Sequence, residues 1–321
     1  MANCEQCNTE FESKRASAKY CSTKCRVAAN RDVPKPSAIT DQDRDDFPDL
    51  ENIAKRLQIS EEEYIRRIKV WEAKGVPRIK WLTTGIPELD DFQRIPKGRI
   101  TQIQGPSSAG KTTLVLNMIK GLKDKRVLYI DTEATLNPEL NILLGLDSGN
   151  VEIYDESTFL EDVYEKIVEA AKSGKYEAII LDSLAATTTV VEEMGKAGDA
   201  NIGQKAKIMN KLTRILPQIL KDNGTAFVVI NQEREVIGGY VPQKYTPGGM
   251  GVIYACSLIL GIRTIPSWRF PKDAKNGLFK GHEIEVRVIK SKVSTPHRIT
   301  KVKLYYPNPV AHPELVYSED F

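Results

Sequence analysis

The sequence predicts an α/β fold in which a mostly parallel sheet is covered by helices on both faces. One reason is that short, nearly continuous apolar runs alternate with amphipathic stretches from about residue 76 onward. Such an alternation is typical of parallel strands that are buried on both sides. A second reason is that the strand-like run 100–104, in which apolar and polar residues alternate, leads into a glycine-rich loop and then into a helix-like stretch. This is the order expected at a nucleotide-binding edge.

The remaining elements of this core follow from the same periodicities. Strands are expected at 100–104, 127–130, 178–181, 225–230, 258–263, 283–289 and 299–305. Helices are expected at 112–122, 160–172 and 204–221. The last strands follow one another without a helix between them, so we expect them to be antiparallel additions to the parallel sheet.

Composition excludes several classes of protein. A chain of 321 residues with 41% hydrophobic and 28% charged residues is typical of a soluble globular protein with one large core or two domains. The formal net charge of +3 gives no global field for nucleic acid, so DNA binding would need local basic surface. The longest apolar run, about 254–262, is too short to span a bilayer, and the N-terminus lacks a signal-peptide core. We therefore expect a cytoplasmic protein with no membrane partner.

Four of the five cysteines are packed into the first 25 residues. In a reducing compartment this clustering indicates metal binding, and the pairs C-x₂-C and C-x₃-C suit tetrahedral Zn²⁺. The candidate metal ligands are Cys4, Cys7, Cys21 and Cys25. Unligated thiols are the alternative. The second pair resembles a knuckle of small treble-clef zinc fingers, and the metal would supply the folding free energy of so short a module. Cys256, in an apolar run, is expected to be buried and uninvolved.

The chain before the core is predicted to contain a zinc-finger module at 1–32, a linker at 33–48 and a helical segment at 49–80, followed by the core at 81–321. Residues 1–36 carry seven Lys and Arg against four Asp and Glu. This basic module could contact a DNA backbone, or it could be an ordinary solvated surface.

Two amphipathic helices are predicted in the segment 49–80. The first has an apolar stripe of Leu50, Ile53 and Leu57, and the second places Tyr64, Ile68 and Trp71 on one face. A capping box from Ser60 to Glu63 would begin the second helix, and Gly75 would end it. The order resembles a DNA-reading helix-turn-helix, but two such helices can also simply pack on a core or a neighbouring subunit.

The glycine-rich loop has the sequence G-x-x-x-x-G-K-T. Backbone N–H groups of such a loop, together with the N-terminus of the following helix, cradle phosphates. Lys111 would reach the β- and γ-phosphates and the Thr112 hydroxyl would hold Mg²⁺. The predicted nucleotide-binding residues are Gly105, Pro106, Ser107, Ser108, Ala109, Gly110, Lys111, Thr112 and Thr113. The alternative is a glycine turn that binds nothing, but the pattern predicts an NTPase.

Polar residues follow three predicted strands. Asp131 and Glu133 follow the strand 127–130, Asp182 ends the strand 178–181, and Gln232 follows the strand 225–230. Parallel strands end at one edge, so these groups should lie beside the phosphate loop. One of the first two carboxylates would reach the γ-phosphate, Asp182 would organise Mg²⁺, and an amide could sense the γ-phosphate. Helix caps are the alternative for the carboxylates.

Two long segments leave this edge, 187–203 and 233–249. Both are rich in glycine and polar residues, so we expect them to be irregular and functional. The second contains Arg234, Tyr240, Lys244 and Tyr245. Cations interleaved with aromatic rings can hold a single-stranded nucleic acid. An ordinary surface loop is the alternative.

From about residue 82 to 306 the chain resembles the bacterial RecA family of strand-exchange recombinases. The resemblance rests on motifs in the family's order and near its spacing. They are the phosphate loop Gly105–Thr113, Tyr-Ile-Asp-Thr-Glu ending at Glu133, Ile-Leu-Asp-Ser around Asp182, Gly-Asp-Ala-Asn-Ile-Gly at 198–203, Ile-Asn-Gln ending at Gln232, Gly248-Gly249, and Lys290-Ser-Lys292. The resemblance implies a RecA-like P-loop NTPase core.

The resemblance also implies roles for individual residues. Glu133 would activate the attacking water and Gln232 would couple the γ-phosphate to the second loop. Lys290 and Lys292 would reach the ATP of a neighbouring subunit in a helical filament. The loops at 187–203 and 233–247 would line the DNA channel, and their candidate DNA contacts, with one at the start of the following helix, are Gly198, Asn201, Lys207, Arg234, Tyr240, Lys244 and Tyr245.

The implied activity is that of a DNA-dependent ATPase, with ATP and Mg²⁺ as cofactors. Zn²⁺ is expected as a further cofactor from the cysteine pairs alone, since the N-terminal zinc module is foreign to the family. The protein would form filaments on single-stranded DNA and exchange strands with a homologous duplex, with single-strand-binding and loader proteins as further partners. A ring-shaped DNA motor of the RadA/Sms type is one alternative, although its Lys-Asn-Arg-Phe-Gly motif is absent from the sequence. An ATP-switched signalling scaffold is another.

Some positions depart from the family pattern. Asn137 and Leu140 stand where the family has an aspartate and a tyrosine near the adenine, and Ile253 replaces a lysine before Tyr254. The family's small C-terminal domain is not matched.

Overall fold

The computed structural model describes residues 2–3, 10–11, 50–76, 78–122, 125–136, 149–195, 203–235, 244–270 and 281–305. The chain divides into two compact units, Met1–Arg78 and Ile79–Phe321. The cysteines of the predicted zinc finger and the linker 33–48 lie outside the described residues.

The first unit contains a short strand pair and two helices. Strands β1 (Ala2–Asn3) and β2 (Glu10–Phe11) pair in antiparallel fashion and flank the segment that carries the first two cysteines. Helices α1 (Leu50–Leu57) and α2 (Glu61–Ala73) confirm the two helices predicted here.

The start of α2 is capped differently from the prediction. The Ser60 hydroxyl accepts a hydrogen bond from the Glu63 N–H at 3.2 Å, as a cap should. The Glu63 carboxylate does not return to Ser60; it accepts from Arg66 and Arg67 at 2.7 and 2.8 Å. These two cations lower the pKa of Glu63 to about 2. The reciprocal half of the predicted capping box is therefore wrong, because cations one turn away compete for the carboxylate.

The apolar stripes of these helices are buried only in part. Leu50 and Ile65 form a small core on which Tyr64 and Ile68 pack. Leu57 is 55% exposed and Trp71 is 56% exposed. The predicted stripes thus extend beyond the core that this unit buries.

The second unit is built on one eight-stranded sheet. A small antiparallel pair, β3 (Trp81–Leu82) and β4 (Ile95–Pro96), precedes it. The main strands are β5 (Ile100–Gly105), β6 (Val127–Asp131), β7 (Val151–Tyr154), β8 (Ala178–Asp182), β9 (Ala226–Gln232), β12 (Leu258–Phe270), β13 (Gly281–Ser291) and β14 (Ile299–Tyr305). A hairpin of β10 (Arg234–Glu235) and β11 (Lys244–Tyr245) stands apart from the sheet.

The order across the main sheet is β14-β13-β12-β5-β9-β8-β6-β7. Neighbours from β12 to β7 are parallel, and β13 and β14 add to β12 in antiparallel fashion. The predicted parallel sheet with late antiparallel additions is confirmed. All seven predicted strands are present, and β7 was missed because its short run is only partly buried.

Helices cover both faces of the sheet. They are α3 (Pro87–Phe92), α4 (Lys111–Gly121), α5 (Leu160–Ser173), α6 (Val190–Met194), α7 (Gln204–Asn223) and α8 (Met250–Ala255). Alternate residues of β8 enter opposite cores: Ile180 packs with the α3 and α4 side, and Ile179 packs with the α5, α7 and α8 side. Burial on both faces explains the continuous apolar strands.

The segments 187–203 and 233–249 contain more regular structure than predicted. Helix α6 forms within the first because Thr189 and Glu192 make a complete capping box. The hairpin β10–β11 forms at the two ends of the second segment, around residues 236–243, which lie outside the described residues.

In the parts of the chain that the structure describes, no helix is long and apolar enough to cross a membrane.

Candidate nucleotide site and adjoining segments

The candidate site lies where four parallel strands end together. Strand β5 leads into the phosphate loop, and β9, β8 and β6 end beside it in that order. Gly105 is opposite Gln232 in the β5–β9 register, and Asp131 is opposite Asp182 in the β6–β8 register. The topology therefore brings the loop, the carboxylates and the amide to one edge, as the sequence predicted.

Glycines at both ends of the phosphate loop have clear structural reasons. A Cβ on Gly105 would collide with the backbone oxygen of Ile262 on the neighbouring strand. Gly110 begins α4 with a φ of 89°, in the left-handed region that other residues rarely adopt. Gly105 therefore lets β12 approach β5 closely, and Gly110 lets the loop turn into α4, whose first N–H groups have no partner within the helix.

Lys111 lies folded across this loop. Its Nζ donates to the carbonyl oxygens of Gly105 at 3.2 Å and Pro106 at 2.6 Å. Burial lowers the pKa of Lys111, and the nearby carboxylates of Glu133, Asp182 and Glu233 oppose that shift. The Lys111 ammonium group is thus held by two carbonyl oxygens of the phosphate loop, in a position to bind an anionic phosphate.

Asp182 is fully buried at the end of β8. Its Oδ2 accepts a hydrogen bond from the Tyr129 hydroxyl at 2.7 Å, whereas Oδ1 has no hydrogen-bond partner. Burial is the main reason that the pKa of Asp182 is raised to about 6. The Thr112 hydroxyl favours the ionised form, although it makes no hydrogen bond of normal geometry with Oδ1.

This pair of oxygens fits a divalent cation. A buried carboxylate oxygen without a partner is costly unless something else compensates it. Mg²⁺ takes hard oxygen ligands and usually binds through one or two protein groups together with phosphates. Asp182 Oδ1 and the Thr112 hydroxyl, at the start of α4, are such ligands.

The structure gives different roles to Asp131, the last residue of β6, and Glu133, which follows the strand. Asp131 is buried and accepts from the backbone N–H groups of Glu133, Thr135 and Leu136 at 3.2, 3.2 and 2.9 Å. It therefore stabilises the turn. Glu133 is exposed at the same edge. Glu133 is the carboxylate that remains available to reach a substrate.

Backbone and side-chain bonds fix the position of Glu133. Thr132 N–H donates to the Asp182 carbonyl at 2.8 Å, and its hydroxyl donates to the Ser183 carbonyl at 2.8 Å. The Ser183 hydroxyl in turn donates to Glu133 Oε1. The ends of β6 and β8 are thus held together, and the carboxylate of Glu133 is oriented by a serine that sequence reasoning did not single out.

Gln232 ends β9 and is partly buried. Its N–H donates to the side-chain oxygen of Asn231 at 3.1 Å. Asn231 is fully buried and also donates to the Pro247 carbonyl at 2.9 Å. The main-chain N–H of Gln232 is therefore linked through the Asn231 side chain to the far end of the segment 233–247.

Lys290 and Lys292 lie together beside the C-terminal end of α8. Lys290 Nζ donates to the carbonyl oxygens of Ile253 and Tyr254, and Lys292 Nζ donates to that of Tyr254 at 2.7 Å. Burial and the neighbouring Lys292 charge lower the pKa of Lys290. Both ammonium groups therefore meet at the Tyr254 carbonyl, and Tyr254 itself is 66% exposed.

The candidate DNA contacts are described only in part. Arg234 is opposite Tyr245 across the hairpin, and both are exposed, so a cation and an aromatic ring share one face. Lys207 is exposed on the first turn of α7. The backbone of Lys244 pairs with Glu235, while Tyr240, Gly198 and Asn201 lie outside the described residues, as do Asn137 and Leu140 near the expected base site.

One cation near these contacts was missed. Lys205 donates to the Thr187 carbonyl, and the charge of Arg234 contributes to lowering its pKa, after burial. Lys205 therefore lies against the start of the segment 187–203. It was missed because nothing in its position on an amphipathic helix distinguishes it from a solvated lysine.

The predicted metal ligands remain untested by geometry. No group of three or more metal-binding side chains occurs among the residues that the structure describes, and the four N-terminal cysteines are not among them. Cys256 is buried, and burial raises its thiol pKa to about 12, as expected for an uninvolved cysteine.

Comparison with known proteins gives consistent matches. The RecA N-terminal domain family matches residues 68–311. The RecA protein of Nautilia profundicola is 36% identical over 240 residues, and that of Campylobacter hominis is 32% identical over 240 residues. Each alignment covers 73% of this chain and 67% of the relative. The RecA protein of Corynebacterium aurimucosum is 34% identical over 236 residues, which cover 72% of this chain and 61% of that relative.

A solved structure agrees with the fold. The crystal structure of the RadB recombinase superposes with a TM-score of 0.52 at 20% sequence identity. The superposition covers 68% of this chain and 94% of that one. At this identity the likeness supports the RecA-like α/β fold.

Proposed function

Because the chain belongs to the RecA family, we propose that it is an ATP-dependent recombinase that assembles on single-stranded DNA and pairs it with a homologous duplex. The observation that carries this proposal is the placement of Lys111, Asp182 and Glu133 at one sheet edge from which the hairpin also extends. The chain spans about two thirds of the length of the RecA relatives.

ATP is bound and hydrolysed at this edge. The loop N–H groups and Lys111 bind the β- and γ-phosphates. Glu133, oriented by Ser183, accepts a proton from the attacking water. Mg²⁺, held by Asp182 and Thr112, would neutralise charge on the phosphates when bound.

The two lysines beside α8 complete the site of the next subunit. The ammonium groups of Lys290 and Lys292 donate hydrogen bonds to main-chain carbonyl oxygens of their own subunit. Two neighbouring ammonium groups also repel each other. A triphosphate at a subunit interface would relieve that repulsion, so hydrolysis depends on filament formation.

DNA is bound by the segments that leave the same edge. Arg234 and Tyr245 provide a cation and a ring on one face of the hairpin, and Lys207 adds a second cation. Cations contact phosphates, and aromatic rings stack on bases. From their place in the sequence alone, Tyr240, Lys244, Gly198 and Asn201 are further candidates for contact with DNA.

The N-terminal module binds one Zn²⁺ through Cys4, Cys7, Cys21 and Cys25. This part of the proposal is supported by cysteine spacing alone. The basic residues around it suit duplex DNA, with binding of a partner protein as the alternative.

The comparisons favour a recombinase over a ring-shaped DNA motor or a signalling scaffold, since the RecA N-terminal domain family matches residues 68–311. A direct test is the rate of ATP hydrolysis with and without single-stranded DNA, for the wild type and for Lys111→Ala. We expect stimulation by DNA in the wild type and none in the variant. Electron microscopy with DNA and a slowly hydrolysed ATP analogue should then show helical filaments; closed rings or the absence of stimulation would contradict the proposal.

A further inference from the structure

A chain of side-chain amides crosses the centre of the sheet. Asn231 Nδ2 donates to Gln102 Oε1 at 3.4 Å, and Gln102 Nε2 donates to Gln104 Oε1 at 2.6 Å. Gln104 Nε2 then donates to Glu233 Oε1 at 3.2 Å. In each of these hydrogen bonds the side-chain nitrogen of one residue donates to the side-chain oxygen of the next. The chain of hydrogen bonds therefore runs in one direction, from Asn231 to the Glu233 carboxylate.

Amide side chains are unusual at buried positions of central strands. Gln102 and Asn231 have no exposed surface, and they lie on the adjacent parallel strands β5 and β9. An apolar side chain would serve the core there without the desolvation cost of an amide. Because each amide in the chain depends on the next for a partner, the hydrogen bonds hold the side chains in one arrangement.

The chain of amides connects both ends of the segment 233–247 to the strand that leads into the phosphate loop. Glu233 is the first residue of that segment, and Pro247, whose carbonyl accepts from Asn231 at 2.9 Å, is the last. Gln104 directly precedes Gly105, the first residue of the phosphate loop. A displacement at either end of the segment would therefore change hydrogen bonds to side chains of β5.

Gly105 joins the amide chain to Lys111. Its carbonyl oxygen accepts from Lys111 Nζ at 3.2 Å and from the Glu233 N–H at 3.0 Å. The Glu233 carboxylate also attracts the Lys111 ammonium. A phosphate that competes for Lys111 changes both the hydrogen bonding at Gly105 and the charge balance at Glu233.

We propose that Gln102, Gln104 and Glu233 are positioning residues that couple the nucleotide held at Lys111 to the DNA affinity of the segment 233–247. None of the three touches the reacting atoms. The inference rests on the proposed function, since it presumes that this segment binds DNA. Coupling of this kind is a free energy shared between two sites, so it is measured as a ratio of affinities.

The test measures the affinity of the full chain for a fluorescent oligothymidylate, once with a non-hydrolysable ATP analogue and Mg²⁺ and once with ADP and Mg²⁺. In the wild type the two dissociation constants should differ. Gln104→Met keeps the length of the side chain but removes both of its hydrogen bonds, and it should reduce the ratio of the two constants by about fivefold or more. Nucleotide affinity without DNA should change by less than about twofold, because the phosphate contacts remain.

Glu233 provides a second variant at a partly exposed position, where a substitution disturbs the core less than at a buried one. Glu233→Ala should reduce the ratio as Gln104→Met does, and Glu233→Gln should restore part of it, since an amide oxygen still accepts from Gln104. Gln218→Met is the matched control: it removes an exposed amide bonded to Asp222 at 2.7 Å on α7 and should leave the ratio unchanged.

An unchanged ratio in folded Gln104→Met and Glu233→Ala would overturn the coupling role while leaving the proposed function standing. A wild-type protein that binds no single-stranded DNA with either nucleotide would overturn both.

Discussion

The Tyr129 hydroxyl donates a hydrogen bond of 2.7 Å to Asp182 Oδ2, and neither side chain has exposed surface. This bond occupies one oxygen of the carboxylate and leaves Oδ1 without a partner. Tyr129 thereby determines which oxygen is available to a metal ion, and it offsets part of the cost of burying an ionised carboxylate.

Tyr129→Phe should weaken Mg²⁺-dependent nucleotide binding. The phenyl ring keeps the packing, but Asp182 Oδ2 loses its donor, so the ionised carboxylate becomes less stable by roughly 1–3 kcal/mol. Calorimetric titration of ATP with and without Mg²⁺ measures the effect. The Mg²⁺-dependent part of the affinity should fall while the Mg²⁺-independent part stays. Tyr164→Phe, at a partly exposed position, serves as the control; equal losses in both variants would refute the assignment.

Stability should depend on pH through Asp182 when Mg²⁺ is absent. Burial raises its pKa from 3.8 to about 6, so between these values the folded protein binds more protons than the unfolded chain. The contribution of Asp182 to the free energy of unfolding therefore falls as pH rises through this window, by at most about 3 kcal/mol. Urea unfolding measures the free energy of unfolding of the wild type and of Asp182→Asn. From pH 4 to pH 7 the wild type should become progressively less stable relative to Asp182→Asn. A constant difference would mean that this carboxylate ionises without penalty.

Lys290→Ala should retain nucleotide binding at its own site but lose hydrolysis, because its ammonium serves the neighbouring subunit. Mixing Lys290→Ala with Lys111→Ala should restore some turnover at interfaces that receive an intact half from each variant. The measurement is ATP hydrolysis on single-stranded DNA as the two variants are mixed in different proportions. If the variants assemble together on DNA and the mixture stays inactive, the lysines do not act across the interface.

The purified protein should contain one Zn²⁺ per chain, and Cys21→Ser should lose it. Since the metal supplies the folding free energy of the small module, its loss should leave the ATPase core folded. Elemental analysis and thermal unfolding measure the two effects, with Cys256→Ser as the matched control that keeps its zinc. Protein purified without chelators that contains no zinc would disprove the site.

The sheet and the edge that carries the site could be predicted because they depend on local patterns. Apolar runs give the buried strands, and a polar residue at the end of each run gives Asp182 and Gln232 their common edge. The sequence pattern could not show that Asp131 stabilises the turn and that Glu133 is the carboxylate available to the substrate. That difference arises from a turn whose N–H groups close on Asp131.

The amide chain and the tyrosine bond could not be predicted for a related reason. Gln102 and Tyr129 occupy strand positions that are compatible with many residues, and their partners are on other strands. Helix α6 was predictable in principle, since its capping box from Thr189 to Glu192 is local, but the polar composition around it obscured the signal.

Homologous pairing is the activity that the proposed function claims, and it can be measured directly with wild-type protein and Glu133→Gln. The substrates are a labelled single strand and a duplex that is either identical in sequence or unrelated. The wild type with ATP and Mg²⁺ should form joint molecules only with the identical duplex. Glu133→Gln should still form joint molecules but hydrolyse ATP about 10²–10⁴-fold more slowly. The carboxylate that accepts the proton of the attacking water is lost, whereas the phosphate contacts remain. Joint molecules with neither duplex, or with both equally, would contradict the assignment of this protein as a recombinase.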